Sequence, residues 1–551
     1  MKKNILSRRN FLQTGVIGLA IPILNSSFCS FLSISESKTT ERDFSISLTP
    51  DEILRNPDLV KIIAKSGVNR IWIITFCYGY WPWSMETIKQ AHHAVMSAGL
   101  ISSALTLPLG HPGDALGAKD GDFNLNPPSH WPGSKGINGN IYTGTTVSLI
   151  ATNEIVNALK ELHSVGFKKC MLDDDFRIAR QPGVIGGNYD DASKITFIKT
   201  NGLNESDWGE LLNDIKQNKF TPLLRLWINW QCDFLTKSFL EQRKSFHGEL
   251  GLMVMYLGAE KAGIRLSDYK NIPFRVGEYY FNDELLSVPK GWTDELFSVL
   301  FHRRYVSADN SWSETTAFPA NALSANNIAA KLVISTIADV RHTTFMSGLT
   351  PFPQEYWDIL SPAMKRQKEL HKVVAGHSLK GPLKHFWGVA SRYIGKDNPY
   401  SLWLSLGIPF EVISEINSTG NNGWIFLSNE DCAEAQNHKD LSHFIARPEA
   451  LLKAESVIHS LNENLTELWK WKQSILTELQ AQNVPYIMDM LPCVCAWYPD
   501  ANCVLIWNLS NSTQKLTLHY KANEVSESFL PLEAKILSLK KFINKKLEKG
   551  N

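Results

Sequence analysis

Two hydrophobic rhythms alternate along this chain from about residue 50 onward. Short apolar runs are separated by longer stretches in which apolar residues recur every three or four positions, the spacing of one helical face. Leu59 to Ala64 reads as a helix closed by Gly67, ahead of the strand Arg70 to Phe76. Ser84 caps a helix from Met85 to Ala98, Gly99 ends it, and Ile101 to Leu107 is the second strand. Val147 to Ile150 is read as the third. Ile155, Val156, Leu159, Leu162 and Val165 then share a helical face, with Gly166 as the stop before the fourth strand, Lys168 to Leu172. The tryptophan-rich segment Thr221 to Lys244 is predicted helical. Further strands are expected at Leu250–Met255, Pro273–Val276, Tyr305–Trp312 and His342–Met346, with the helix Ala325–Ala338 between the last two. Eight strands with helices between them predict a (β/α)8 TIM barrel over residues 45–385.

Beyond residue 386 the pattern changes. Ser401 to Leu406, Gly407 to Glu411 and Gly423 to Leu427, closed by a long amphipathic helix around Leu451 to Gln482, suggest a smaller α/β domain over 386–490. Cys503 to Leu509, Lys515 to Tyr520 and Lys535 to Leu539 alternate like antiparallel strands and predict a small β domain over 491–545. Within the barrel, Pro108 to Tyr142 is rich in Gly, Pro, Asn and Asp. A stretch of that length without a period is usually functional. It is placed on the rim after the second strand as a wall of a substrate cleft, carrying His111, Asp114, His130 and Trp131.

Composition narrows the class. The 551 residues are 44% hydrophobic with a formal net charge of +1, which describes a globular protein of more than one domain with no basic stripe for nucleic acid. Ser7-Arg8-Arg9-Asn10-Phe11-Leu12 followed by the apolar run Val16 to Leu24 matches a twin-arginine signal over residues 1–30. That run is too short to span a bilayer, which takes about 20 residues, so the protein is expected to be exported to the periplasm or beyond and not to span a membrane. The eight cysteines form no visible disulfide framework or zinc site, although Cys493 or Cys495 could pair with Cys503 across a hairpin.

The chemistry is concentrated where the fourth strand ends, in Leu172-Asp173-Asp174-Asp175-Phe176-Arg177. Adjacent carboxylates repel and lose hydration if buried, so such a run points to catalysis, a metal or a salt-bridged knot. Strand alternation would put Asp173 and Asp175 on one face and Asp174 on the other. Glu314, at the end of the seventh strand, and Glu278, at the end of the sixth, add rim carboxylates. Glycoside hydrolysis needs two carboxyl groups flanking one bond, and the fourth and seventh strands face each other across a barrel mouth. On this reading Asp174 or Asp175 is the general acid and Glu314 the nucleophile. Arg177 holds one aspartate ionised, and Asp173, Glu278, Tyr279, Trp227, Trp312 and His111 line the sugar site. His342 is expected to pack at the base of the last strand. No cofactor or metal is called for.

The motifs Leu-Asp-Asp-Asp-Phe-Arg, Trp-Ser-Glu followed by Phe-Pro, and Leu-Gly-Ile-Pro-Phe-Glu, taken in order, resemble glycoside hydrolase family 42 β-galactosidases. The likeness is strongest to bacterial relatives of that clan that carry the triple aspartate. The resemblance implies a barrel, a flavodoxin-like domain that mediates trimerisation, a small β domain and a retaining mechanism. It matches Glu314 to the nucleophile and sets the acid/base within Asp173 to Asp175, where the family has Asn-Glu. The shorter aspartate leaves an inverting arrangement open and puts β-galactoside specificity in doubt. Two other readings compete. One is a carbohydrate-binding barrel without turnover, and the other a metal-dependent hydrolase built on the aspartate cluster.

Overall fold

Eight parallel strands close into a barrel in chain order: β1 (Asp43–Leu48), β2 (Arg70–Cys77), β3 (Ile101–Leu107), β4 (Lys169–Leu172), β5 (Glu249–Val254), β6 (Phe274–Val276), β7 (Ser311–Thr316) and β8 (His342–Met346), with β8 pairing back to β1. The structure is a computed structural model. It describes residues 41–110, 127–142, 144, 146–173, 175–179, 184–255, 257–277, 280–416, 423–438, 444–453, 458–540 and 542. The export segment therefore lies outside the described residues, as do His111, Asp114, Asp174, Glu278 and Tyr279.

Local chemistry explains the elements. Ser84 and Ser148 each accept a hydrogen bond from the helix they open, and Thr221 does the same for the long helix Pro222–Phe246. Gly67 and Gly166 end their helices at φ values of 105° and 119°, a region costly for any residue with a Cβ. Every residue of β2 is buried, as expected of a parallel strand covered by helices outside and filled by side chains inside.

The strand count was right and its composition was not. β1 was missed: Ser45 and Ser47 face the interior, where they meet Trp72 Nε1 and the Met346 sulfur, so this strand does not read as an apolar run. Val147 to Ile150, expected as the third strand, is the Ser148 cap and first turn of the helix Leu149–Val165. β7 begins at Ser311, later than expected, because Ala308–Asn310 form a 3-10 turn. The long rim loop consequently follows β3.

A second sheet contains β9 (Leu383–Phe386), β10 (Phe410–Ile413), β11 (Trp424–Leu427), β12 (Phe444–Ala446) and β13 (Ile458–Ser460), all parallel, in the order β10-β9-β11-β12-β13. This is the flavodoxin-like order. β9 begins slightly ahead of the expected boundary at 386. Ser401 to Leu406 contains a 3-10 turn rather than a strand, and the long helix is Leu465–Ala481, shorter than expected because β13 precedes it. The C-terminal region adds β14 (Tyr486–Ile487), β15 (Cys493–Tyr498), β16 (Cys503–Asn508), β17 (Gln514–Tyr520), β18 (Asn523–Phe529) and β19 (Ala534–Ser538). They form two antiparallel sheets, β14-β17-β18 and β15-β16-β19. Cys493, Cys495 and Cys503 are buried free thiols, and across the hairpin Cys503 sits opposite Tyr498, so the conjectured disulfide is not made.

Candidate active site

The acid run behaves as three separate residues because the chain turns inside it. The Asp173 amide donates to the Thr106 carbonyl at 2.9 Å, which keeps Asp173 in the sheet beside β3. Phe176 N then donates to Asp173 O at 3.1 Å and Arg177 N to Asp175 O at 2.8 Å, so strand alternation stops there. The Asp173 carboxylate lines the barrel mouth. That of Asp175 is fully buried against the loop after β3, where Oδ2 accepts from the amides of Leu109, at 2.8 Å, and Gly110. The two do not share a face, contrary to expectation.

At the mouth is a pocket of about 180 Å³ walled by the C-terminal ends of the strands: Ile74 of β2, Leu107 of β3, Met253 of β5, Thr316 of β7 and Met346 of β8, together with Asp173 and Glu314. Catalytic groups of α/β barrels gather at this end. Arg275, in the middle of β6 and 0% exposed, joins the two carboxylates. Its Nη2 contacts Asp173 Oδ1 and its Nε lies 3.1 Å from Glu314 Oε2. Thr316 Oγ1 donates to Glu314 Oε1 at 2.6 Å. The carboxylate side chains are only 9% and 4% exposed, so the guanidinium offsets a desolvation that neither could sustain alone. Among these described groups the charges sum to minus one. Burial first, then the charges of Asp175 and Asp173, push the nearby Cys77 thiol well above its ordinary range and keep it protonated.

Several expected site residues lie elsewhere. Trp312 is on the same face of β7 as Glu314 but one layer deeper. It stacks on His342 at 4.2 Å, meets Trp72 edge-on at 5.3 Å and has Lys169 over its ring, so it fills the barrel rather than a sugar subsite. His342 is accordingly at the base of β8. Trp227 is buried on the long helix among Tyr189, Phe197, Trp208 and Trp230, a satellite core and not a cleft wall. Arg177 stays buried beside the aspartate run, where its Nε donates to the Ala179 carbonyl at 3.2 Å, and a second cation, Arg275, joins the described pocket carboxylates. The described part of the rim loop, which pairs Ser134–Lys135 with Ile141–Tyr142, lines a pocket of about 210 Å³ through Ser134, Asn138 and Tyr142, together with Ile185, Gly187 and Tyr189. Sequence reasoning missed Arg275 and Thr316. The available signal was a charged residue inside a strand of a parallel barrel, where apolar residues are the rule.

A closed eight-stranded barrel with carboxylates of the fourth and seventh strands in one mouth, followed by a flavodoxin-like sheet and antiparallel sheets, defines the class. It has the fold of glycoside hydrolase family 42 β-galactosidases. The chain superposes on the β-galactosidase of Rahnella sp. R3 with a TM-score of 0.60 at 9% identity, covering 91% of this chain and 98% of that one. For the GH42 β-galactosidase Gan42B the values are 0.58, 9%, 91% and 98%. A catalytic mutant of Gan42B from G. stearothermophilus gives 0.57, 8%, 91% and 98%. No family model and no curated protein matches the sequence. At these identities the likeness is one of fold, and the chemistry must be argued from the site.

Proposed function

We propose that the protein is an exported glycoside hydrolase that cleaves O-glycosidic bonds of an oligo- or polysaccharide, with Glu314 as the nucleophile of a retaining mechanism. The observation that carries this is the convergence of Asp173 and Glu314 on one pocket at the mouth of a barrel with the GH42 fold. A guanidinium neighbour favours the ionised form of a carboxylate, which suits Glu314 for attack on the anomeric carbon. The net negative charge of the described pocket groups favours an oxocarbenium-like transition state. The same ion pair disqualifies Asp173 as the proton donor, and two backbone amides on one oxygen favour the ionised form of Asp175 as well. The general acid is therefore assigned to Asp174.

The test is turnover of a panel of aryl glycosides and oligosaccharides. Glu314→Gln should lower kcat by roughly 10³-fold or more, and Asp174→Asn by about 10²–10⁴-fold for oligosaccharides, whose leaving groups need the proton. Azide added to Glu314→Gly should restore cleavage of an activated substrate and give a glycosyl azide of inverted configuration. Lack of rescue together with inverted products from the unaltered enzyme would replace retention by inversion.

The shared guanidinium also favours a second reading, a carbohydrate-binding barrel without turnover, because an ion pair to both described pocket carboxylates disfavours the protonated form that a general acid needs. Saccharide binding without cleavage across the panel would establish it. A metal-dependent hydrolase built on the aspartate cluster could not use the space between Asp173 and Glu314, where a guanidinium lies. Twin-arginine export and a homotrimer belong to the proposal. Signal cleavage in cell fractions and light scattering of the purified protein test them.

A further inference from the structure

This inference rests on the glycosidase reading and concerns which sugar the pocket takes. Among the described residues, the pocket wall around Asp173, Glu314 and Thr316 is apolar: beyond the strand residues already named, it includes Met255, Phe281, Phe318 and Leu349. The wall is tightly fitted. A Cβ on Gly277 would lie 2.4 Å from the Met253 methyl and 2.8 Å from Met255 Cγ, so both methionines lie against bare backbone. Gly348, at φ 63°, leaves room for the Phe318 ring, which a Cβ would approach to 3.1 Å. Two of the three thioethers already face protein donors, Met253 towards Arg275 and Met346 towards Ser47, and so present carbon to the pocket. The polar side chains among the described lining residues are likewise engaged, Asp173 and Glu314 by Arg275 and Thr316 by Glu314.

A pyranose whose anomeric end meets the carboxylates must lay its other atoms on this wall. A hydroxyl there exchanges water for carbon and sulfur and loses its hydrogen bonds, whereas a methyl gains burial. Methionine and phenylalanine suit a small apolar group of that kind. We propose that the glycone is a 6-deoxyhexose, with its C5 methyl seated against Met255, Met346 and Phe318. The apolar partner could alternatively be the aglycone, and the test separates the two by varying the sugar while the leaving group stays constant.

The experiment compares 4-nitrophenyl 6-deoxyhexopyranosides with the corresponding hexopyranosides of the same ring configuration, using the full chain. The expected result is a kcat/KM roughly 10- to 100-fold higher for the 6-deoxy member of the best pair. Met255→Gln, which sets an amide in the wall, should shrink that ratio below about fivefold while the variant melts as the parent does. Equal or better turnover of the hexoside, or a ratio unmoved in Met255→Gln, overturns the proposal. If no glycoside is cleaved, the hydrolase reading fails, and calorimetry with free 6-deoxyhexoses and hexoses decides this one separately. Selective binding of the 6-deoxy sugar supports it, and equal binding or none rejects it.

Discussion

Two buried ionic clusters of this molecule invite comparison. One is the Asp173–Arg275–Glu314 bridge at the barrel mouth. The other joins the barrel to the second sheet. There, Glu260, in the turn after β5, accepts from Arg392 Nη1 at 2.6 Å, and Lys261 reaches Gly395 O and lies 3.7 Å from Asp397. Asp397 Oδ1 in turn accepts from the amides of Leu257 and Gly258 at 3.1 and 3.3 Å. Burial, only partly opposed by Arg392, pushes the Glu260 carboxyl up to about 7, and burial pushes Asp431 of the same region up to about 6. A search for perturbed carboxyls would choose the joint. Yet its charges are closed over by backbone, and neither pocket described above is lined by them. Burial perturbs a titration anywhere, whereas a site also needs its groups to converge on space a substrate can occupy. The joint is read as a structural latch and the mouth as the reactive centre.

The sharpest way to break this comparison is to remove one carboxylate from each cluster. Glu314→Gln should cost roughly 10³-fold or more in kcat with little change in melting temperature, and Glu260→Gln should leave kcat within about threefold. Side-by-side kinetics and thermal melts check both. If Glu260→Gln is the inactive variant, the assignment of roles is reversed.

The next effect is energetic. Arg275→Met removes the guanidinium that lies between two buried carboxylates and should destabilise the protein by about 3–5 kcal/mol. Like charges in one pocket then favour sharing a proton, so the acid limb of any residual pH–activity profile should move to higher pH. Arg275→Lys should recover part of the stability but not the two-sided geometry of the guanidinium. A denaturant titration showing less than about 1 kcal/mol of loss would mean that the bridge contributes little.

How much of this was legible beforehand follows from what kind of signal each feature leaves. β4 and its acids stood out because an apolar run ending in three carboxylates is a local pattern. Glu314 was singled out as lying just past a strand expected to end at Trp312, whereas it lies inside β7, two residues before the end, and lines the mouth pocket. β1 was invisible because its inward side chains are serines, and Val147 to Ile150 misled because four residues rich in apolar side chains open a helix as readily as they form a strand. Arg275 went unused because its meaning is tertiary: Asp173 lies 102 residues away along the chain. Trp227 and Trp312 were assigned to the sugar because aromatic composition does not separate a barrel plug from a cleft wall. The turn that follows Asp173 defeated the alternation rule, so Asp175 does not share the face expected of it.

The latch gives a pH test with a defined sign. An unfolded glutamate releases its proton near 4.5, and folded Glu260 does so at about 7. Between those values the folded state holds the extra proton, so this group's stabilising contribution is present at low pH and declines as pH rises to about 7. Asp431 acts in the same direction with a lower window, between its ordinary 3.8 and about 6. Asp339 opposes them only in acid: its carboxyl sits at about 2, its His371 and Arg341 partners outweighing burial, so its contribution is lost as pH falls below about 4. Buried His92, His371 and His385, held below their ordinary range by burial, act in the opposite direction up to about pH 6.5, so the sign is read from the difference between two proteins: the melting temperature of the parent relative to Glu260→Gln should fall by roughly a few degrees from pH 5 to pH 8. A difference that stays constant with pH would show that Glu260 does not titrate across this range.

The smallest expected effect separates neighbours within the acid run itself. Asp175 fixes the loop after β3 through the amides of Leu109 and Gly110, and Gly110 has φ 82°, so the loop is held in a conformation that few other contacts would select. Asp175→Asn keeps an acceptor oxygen but loses the charge that strengthens both bonds, at a cost of about 1–2 kcal/mol. Because its carboxylate is directed into the loop and not into the pocket, activity should fall less than about tenfold, mostly through KM, while Asp174→Asn acts on kcat. Measured together, the two variants test whether adjacent aspartates have been divided between holding the rim and moving a proton. A kcat loss in Asp175→Asn as large as that in Asp174→Asn would show that the turn at Asp173 does not separate their roles.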